Sequence, residues 1–312
     1  MVDEINREAA ASGVRGRATF AVLKLGSLES AFRMAQKVSA DFPSIHYLVC
    51  NAGTTPALNL TEDGLEDGFG GMHLSHVVVS LGLLPSLKKG GEISGTPSRV
   101  VMVASEMAIS AAIGLFGPDP IFPPMNSTGG SEAHSSYSYD VRGEVIRGDG
   151  TLRNSLPAYG RAKLCNVLFA FELNSRLRER NWPVIAHAVH PGAVVTKSAS
   201  DSVSALFRGV PGLPWLVSRV YFPNLWRSAD GGARVVLCAA LSKESEELIR
   251  GGQYLDALCH PFQPINEDPS SALAYEPREA KLNIFLTGGR HISVFKDPIQ
   301  ALQLADTKWS AR

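Results

Sequence analysis

Three short apolar runs end abruptly on polar or glycine-bearing residues, and this arrangement constrains the fold more than any other feature of the chain. Residues 45–50 (IHYLVC) stop at Asn51-Ala52-Gly53. Residues 99–104 (RVVMVA) stop at Ser105, and residues 184–189 (VIAHAV) stop at His190-Pro191-Gly192. Short, nearly continuous apolar runs of this kind suit strands buried on both faces. Residues 18–25 (ATFAVLKL) read as another buried strand, and 253–257 as a last one. Between them lie helical patterns over 3–11, 28–40, 66–87, 157–181 and 229–241. In 28–40 the apolar residues Leu28, Phe32, Ala35 and Val38 recur on one face. Strands alternating with helices predict an α/β fold: a three-layer, Rossmann-type parallel sheet. Ligands of such sheets bind beyond the carboxyl ends of the strands. The residues after each strand are therefore the candidate site.

The rest of the chain is organised around that sheet as a single domain over 1–312. Residues 106–155 carry Gly, Pro, Ser and Tyr without a sustained period and read as a surface insertion. Residues 259–312 read as an irregular tail. Lys plus Arg and Asp plus Glu number 30 each, for a formal charge of +0. This balance argues against nucleic-acid binding through bulk charge and against a charged disordered chain. The four cysteines, at 50, 165, 238 and 259, are scattered and read as buried free thiols in a reducing compartment. His73 and His76 share a helix face but lack an accompanying carboxylate motif, so no metal site is expected. No stretch of roughly 18 uninterrupted apolar residues marks a membrane-spanning helix. The start, MVDEINREAAAS, is too acidic and polar for a secretory signal. His190 reads as a packing or hydrogen-bonding residue.

Chemistry concentrates on one helix. Tyr159 and Lys163 are four residues apart and share a face. An ammonium beside a phenol favours the phenolate, and a Tyr so placed can give or take a proton at a carbonyl or alcohol oxygen. Ser105, at a neighbouring strand end, can hydrogen-bond the same oxygen. Tyr-x-x-x-Lys alone is a weak signal. Set between a strand-end Ser and a strand-end Pro-Gly, it becomes a strong one.

The ordered set Asn51-Ala52-Gly53, Ser105, Tyr159-x-x-x-Lys163 and Pro191-Gly192-Ala193-Val194-Val195-Thr196 resembles the short-chain dehydrogenase/reductase family, over roughly residues 4–258. Residues 61–66, 73–76, 158–166 and 190–192 are similar to the retinol-dehydrogenase-like branch, which includes protochlorophyllide reductases. The resemblance implies hydride transfer between NADP(H) or NAD(H) and a carbonyl or alcohol of a small hydrophobic substrate. It implies Tyr159 as general acid/base, and Ser105 as the residue orienting the carbonyl. Lys163 would hold the nicotinamide ribose and depress the Tyr159 pKa. Asn51, Ala52 and Gly53 would line the adenosine side of the cofactor. Pro191, Gly192, Val194 and Thr196 would touch its nicotinamide end. Residues 202–227 correspond to the family's substrate lid. Their aromatic content suits a greasy substrate, peripheral membrane contact through 206–226, or packing on their own domain.

Three departures accompany the resemblance. The family opens with a strand, a TGxxxGxG loop that cradles the pyrophosphate at a helix N-terminus, and a second strand. Nothing like that loop precedes Asn51, so by this comparison the chain starts about 45 residues late, without a βαβ unit, and cofactor binding is placed in doubt. Lys24 stands where the family has Asp, and Met72 where it has Asn. Losing two strands leaves an open apolar edge on the strand over 45–50 and no neighbour for 18–25. The expectations that remain open are an incomplete enzyme, a catalytically impaired relative acting as a ligand-binding or protein-interaction module, and an enzyme active through an altered cofactor site or edge pairing in a homo-oligomer.

Overall fold

A computed structural model describes residues 2–53, 61–65, 67–108, 152–194, 227–242 and 250–261. In chain order these form α1 (Val2–Ala11), α2 (Leu28–Asp41), β1 (Tyr47–Cys50), α3 (Asp67–Ser94), β2 (Ser98–Val103), α4 (Leu152–Glu179), β3 (Val184–Val189), α5 (Ala229–Leu241) and β4 (Tyr254–Leu255). The strands pair in parallel in the order β1-β2-β3-β4. Register brings the strand ends level: Cys50 lies beside Met102, and Val103 beside Val189.

The central strands are apolar throughout because each face is covered. Val100, Met102, Ala186 and Ala188 point into a core with Leu84 and Leu87 of α3 and Leu164, Val167, Leu173 and Leu177 of α4. Val101, Val103, Val189 and Leu255 point the other way, onto Val235, Ala239 and Ala240 of α5. That is the expected three-layer α/β arrangement. Full burial of each such Val or Leu is worth about 1.5–3 kcal/mol.

The helices are placed by local chemistry. Ser27 caps α2, its hydroxyl accepting from the Ser30 N–H. Ser228 caps α5 by accepting from the Gly231 N–H at 3.1 Å. Gly95, at φ 68°, ends α3 in the left-handed conformation that favours glycine. Helix α3 is long and apolar enough to cross a membrane by length and composition, but most of it is buried inside this domain. It runs on past the expected end near 87 because Gly90 and Gly91 let it pass close to backbone. A Cβ at either would meet the carbonyl of Ile45 or of Pro183. Its first turns hold a π-helical segment, Gly70–Leu74, which contains Met72.

Two strand expectations are corrected. Residues 18–25 form no strand, and Phe20 and Val22 are 77% and 78% exposed. A strand needs a neighbouring strand to pair with, and among the described residues this segment has none, as the missing βαβ unit led us to expect. β1 has β2 on one side only, the open edge expected for it, but its Tyr47 and Val49 are exposed where a strand covered on both faces was expected. The cysteine expectation is half corrected: Cys50 and Cys165 are buried free thiols, whereas Cys238 and Cys259 form a disulfide. They are far apart in sequence but adjacent in space, joining the end of α5 to the turn after β4. Residues 109–151 of the insertion, most of the lid, the tail beyond 261 and Thr196 lie outside the described residues, and 152–155, expected in the insertion, begin α4.

Candidate functional site

The carboxyl ends of β1, β2 and β3 converge, and α4 crosses beneath them. Asn51, Ala52 and Gly53 leave β1 exposed at this rim. Gly53 lies close to the site: an added Cβ would sit 3.2 Å from the Met72 Sδ, a tight contact, and 3.7 Å from the Lys163 Nζ, an ordinary one. On the far side, Gly192 has φ 75°, and a Cβ there would lie 3.2 Å from Arg227 Nε and 3.3 Å from Ala257 Cβ. Arg227 holds that loop by donating its backbone N–H to the Ala193 carbonyl at 2.8 Å, and Val194 bridges to it. Pro191 and Gly192 are half-buried beside it.

Ser105, Tyr159 and Lys163 come together as the spacing requires. The Ser105 hydroxyl accepts from the Met107 N–H at 3.3 Å and lies near enough to the Tyr159 phenol to pull its pKa down. The Lys163 Nζ lies 5.7 Å from the centre of the Tyr159 ring and donates to the Val103 carbonyl at 2.8 Å. Its ammonium is therefore anchored on β2, beneath the ring. This corrects the electrostatics expected from the spacing. Burial raises the Tyr159 pKa above the usual phenol value, and the Ser105 hydrogen bond opposes the rise. Burial also pushes the Lys163 ammonium down to about 8, opposed by the neighbouring Cys50 thiol. Both groups titrate according to desolvation first.

Further residues complete the floor of the site. The Asn166 amide donates to the Met72 carbonyl at 3.0 Å, and its Oδ1 meets His73 Nδ1 at 2.9 Å. The thioether at 72 is buried, so this backbone carbonyl, not the side chain, carries the polar role at that position. Asn166 lies three residues beyond Lys163, the helical spacing that could have marked it. Tyr254, fully buried on β4, donates to the Ser105 carbonyl at 2.9 Å, and nothing local in the sequence signals that bond. His190 packs against Tyr254 with ring centroids 5.4 Å apart and lies 3.8 Å from the Glu106 carboxylate, as a packing residue should. Lys24, exposed, pairs with Glu62. Among the described residues no cluster of His, Cys, Asp or Glu has the makings of a metal site.

Glycines where a Cβ would intrude, a buried ammonium and two hydroxyls on one rim fit the nicotinamide and ribose end of a dinucleotide. The chain is 30% identical over 262 residues to a WW domain-containing oxidoreductase from Danio rerio, covering 81% of this chain and 52% of that protein. It is 29% identical over 258 residues to retinol dehydrogenase 12 from Mus musculus, covering 81% of this chain and 66% of that protein. The chain thus spans about half the length of the first of these relatives. Among solved structures it is similar to L-sorbose reductase from Gluconobacter frateurii, described in complex with NADPH and L-sorbose. The TM-score is 0.53 at 14% identity, covering 82% of each chain, a likeness of fold. No family model matches the chain.

Proposed function

Since this chain belongs to the short-chain dehydrogenase/reductase family, we propose that it is an oxidoreductase moving hydride between NADP(H) or NAD(H) and the carbonyl or alcohol of a small hydrophobic substrate. The single observation that carries this reading is the convergence of Ser105, Tyr159 and Lys163 at the carboxyl ends of β1–β3, with Gly53 beside the Lys163 ammonium. When bound, the dinucleotide supplies or accepts the hydride. Asn51, Ala52 and Gly53 would line its adenosine side, and Pro191, Gly192, Val194 and Thr196 its nicotinamide end.

The chain's own groups handle the proton. A phenol held above its usual pKa is protonated at neutral pH, so Tyr159 donates to a carbonyl oxygen as that oxygen gains negative charge. Ser105 holds the same oxygen by a hydrogen bond that strengthens as charge develops. Lys163, cationic below about pH 8, places a positive charge beneath the ring and favours the phenolate left after donation.

The test is fluorescence titration of the chain with NADPH and with NADH, followed by turnover on a panel of hydrophobic aldehydes and ketones. Tyr159→Phe should keep cofactor affinity and lower turnover about 10²- to 10⁴-fold, the span of general acid catalysis. Unchanged turnover in Tyr159→Phe, or no binding of either cofactor at millimolar concentration, rejects the reading.

A further inference from the structure

We propose that Tyr254 is a positioning residue that holds Ser105 in register with Tyr159. This rests on the role given to Ser105 above. Ser105 lies just past the end of β2, in a turn rather than in the sheet. Within that turn the Ala108 N–H donates to the Ser105 carbonyl at 2.9 Å, and the Met107 N–H to the Ser105 hydroxyl. These bonds shape the turn but do not fix it relative to the strands. Two contacts do. The Ala104 N–H donates to the Val189 carbonyl at 2.7 Å, and the Tyr254 hydroxyl reaches across β3 to the Ser105 carbonyl at 2.9 Å.

Tyr254 is built for this task and for no contact with substrate. Its side chain is 0% exposed. Pairing with Ala188 in β3 sets its height in the sheet, and the His190 ring fixes its plane. Burial, with Glu106 and Tyr159 nearby, holds its phenol well above the usual range, so it remains a donor at every working pH. Without that bond, the one remaining hydrogen bond among the described residues that ties residues 104–105 to the neighbouring strands is that of the Ala104 N–H. The Ser105 hydroxyl, which opposes the burial-driven rise in the Tyr159 pKa, then loses its fixed place.

Tyr254→Phe removes one oxygen and keeps the ring. Leu255→Val, a neighbouring substitution in the same strand, serves as the control, since it trims packing and leaves the Ser105 bond intact. Hydrogen exchange on the peptide containing residues 106–108 should speed up about tenfold in Tyr254→Phe and not in Leu255→Val. In steady state, Tyr254→Phe should lose about tenfold in kcat with the cofactor KM unchanged, and the alkaline limb of its pH profile should move upward, in the same direction as expected for Ser105→Ala. Exchange at 106–108 equal to wild type in Tyr254→Phe overturns the proposal, as does a kcat and pH profile matching wild type. Failure of the wild-type chain to turn over any carbonyl rejects the functional reading instead, and the exchange comparison still decides whether Tyr254 anchors Ser105.

Discussion

Acidification should unfold this protein through two histidines that have no place in the proposed chemistry. His73 and His76 sit in the first turns of α3, both buried. The His73 imidazole is wedged between Phe69 and Phe169 and bound to Asn166. Burial lowers its pKa from 6.5 to about 4. Burial, followed by the Lys163 and His73 charges, lowers that of His76 to about 4 as well. Between those values the unfolded chain binds protons that the native chain refuses, so stability rises with pH there and falls on acidification. Above pH 7 both rings are neutral in both states and the penalty vanishes. At pH 4.5 an unfolded-state pKa of 6.5 against a native value of about 4 costs about 2.5 kcal/mol per ring by linkage. The pair therefore removes about 5 kcal/mol, a large share of the roughly 5–15 kcal/mol that holds a typical domain together.

The assay is urea unfolding followed by tryptophan fluorescence at pH 7.5 and 4.5, for wild type, His76→Gln and His76→Met. Carboxylates titrate over the same interval, so the informative quantity is the difference between chains. Either variant should be less acid-sensitive than wild type by about 2.5 kcal/mol over that interval. Two substitutions of different polarity guard against one that disturbs α3 for other reasons. Wild type and both variants losing stability in parallel would refute the reasoning.

Two further outcomes follow from the same structure. The Lys163 ammonium, held at about 8 against an ordinary 10.5, costs the native state about 3 kcal/mol at pH 7, a penalty relieved as pH rises from 8 to 10.5. Lys163→Met should accordingly abolish turnover while leaving thermal stability at pH 7 equal to or above wild type, and a Tm well below wild type at that pH would contradict it. The Cys238–Cys259 disulfide closes a loop of sequence separation 21, worth about 3 kcal/mol in the chain-entropy treatment. Reduction, or Cys259→Ser, should lower the urea midpoint correspondingly, and thiol counting before and after reduction should rise by two. Equal midpoints for the oxidised and reduced chain would count against the bridge.

What could be read from the sequence was whatever depends on neighbours along the chain. Residues 184–189 form a nearly continuous apolar run and 229–241 a helical pattern, each readable from neighbours along the chain, and both elements have the expected limits. The strand ends were legible for the same reason, because an apolar run that stops at Ser105 or Pro191 shows where the sheet ends. Residues 18–25 failed the same logic. ATFAVLKL is as apolar as any strand, but strand pairing is a long-range property, and no run of side chains can report whether a neighbour is present. Tyr159 and Lys163 show the limit at the level of a single site. Helical spacing placed them on one face, yet it could not say that the ammonium would turn to the Val103 carbonyl, or that desolvation would outweigh charge and raise the phenol. Those outcomes depend on β2 and on depth beneath the rim. So does Tyr254: 149 residues separate it from Ser105, and only the parallel stacking of β2, β3 and β4 brings its hydroxyl to that carbonyl. The site is thus written twice, once in motifs that local spacing exposes and once in the sheet order that makes those motifs meet.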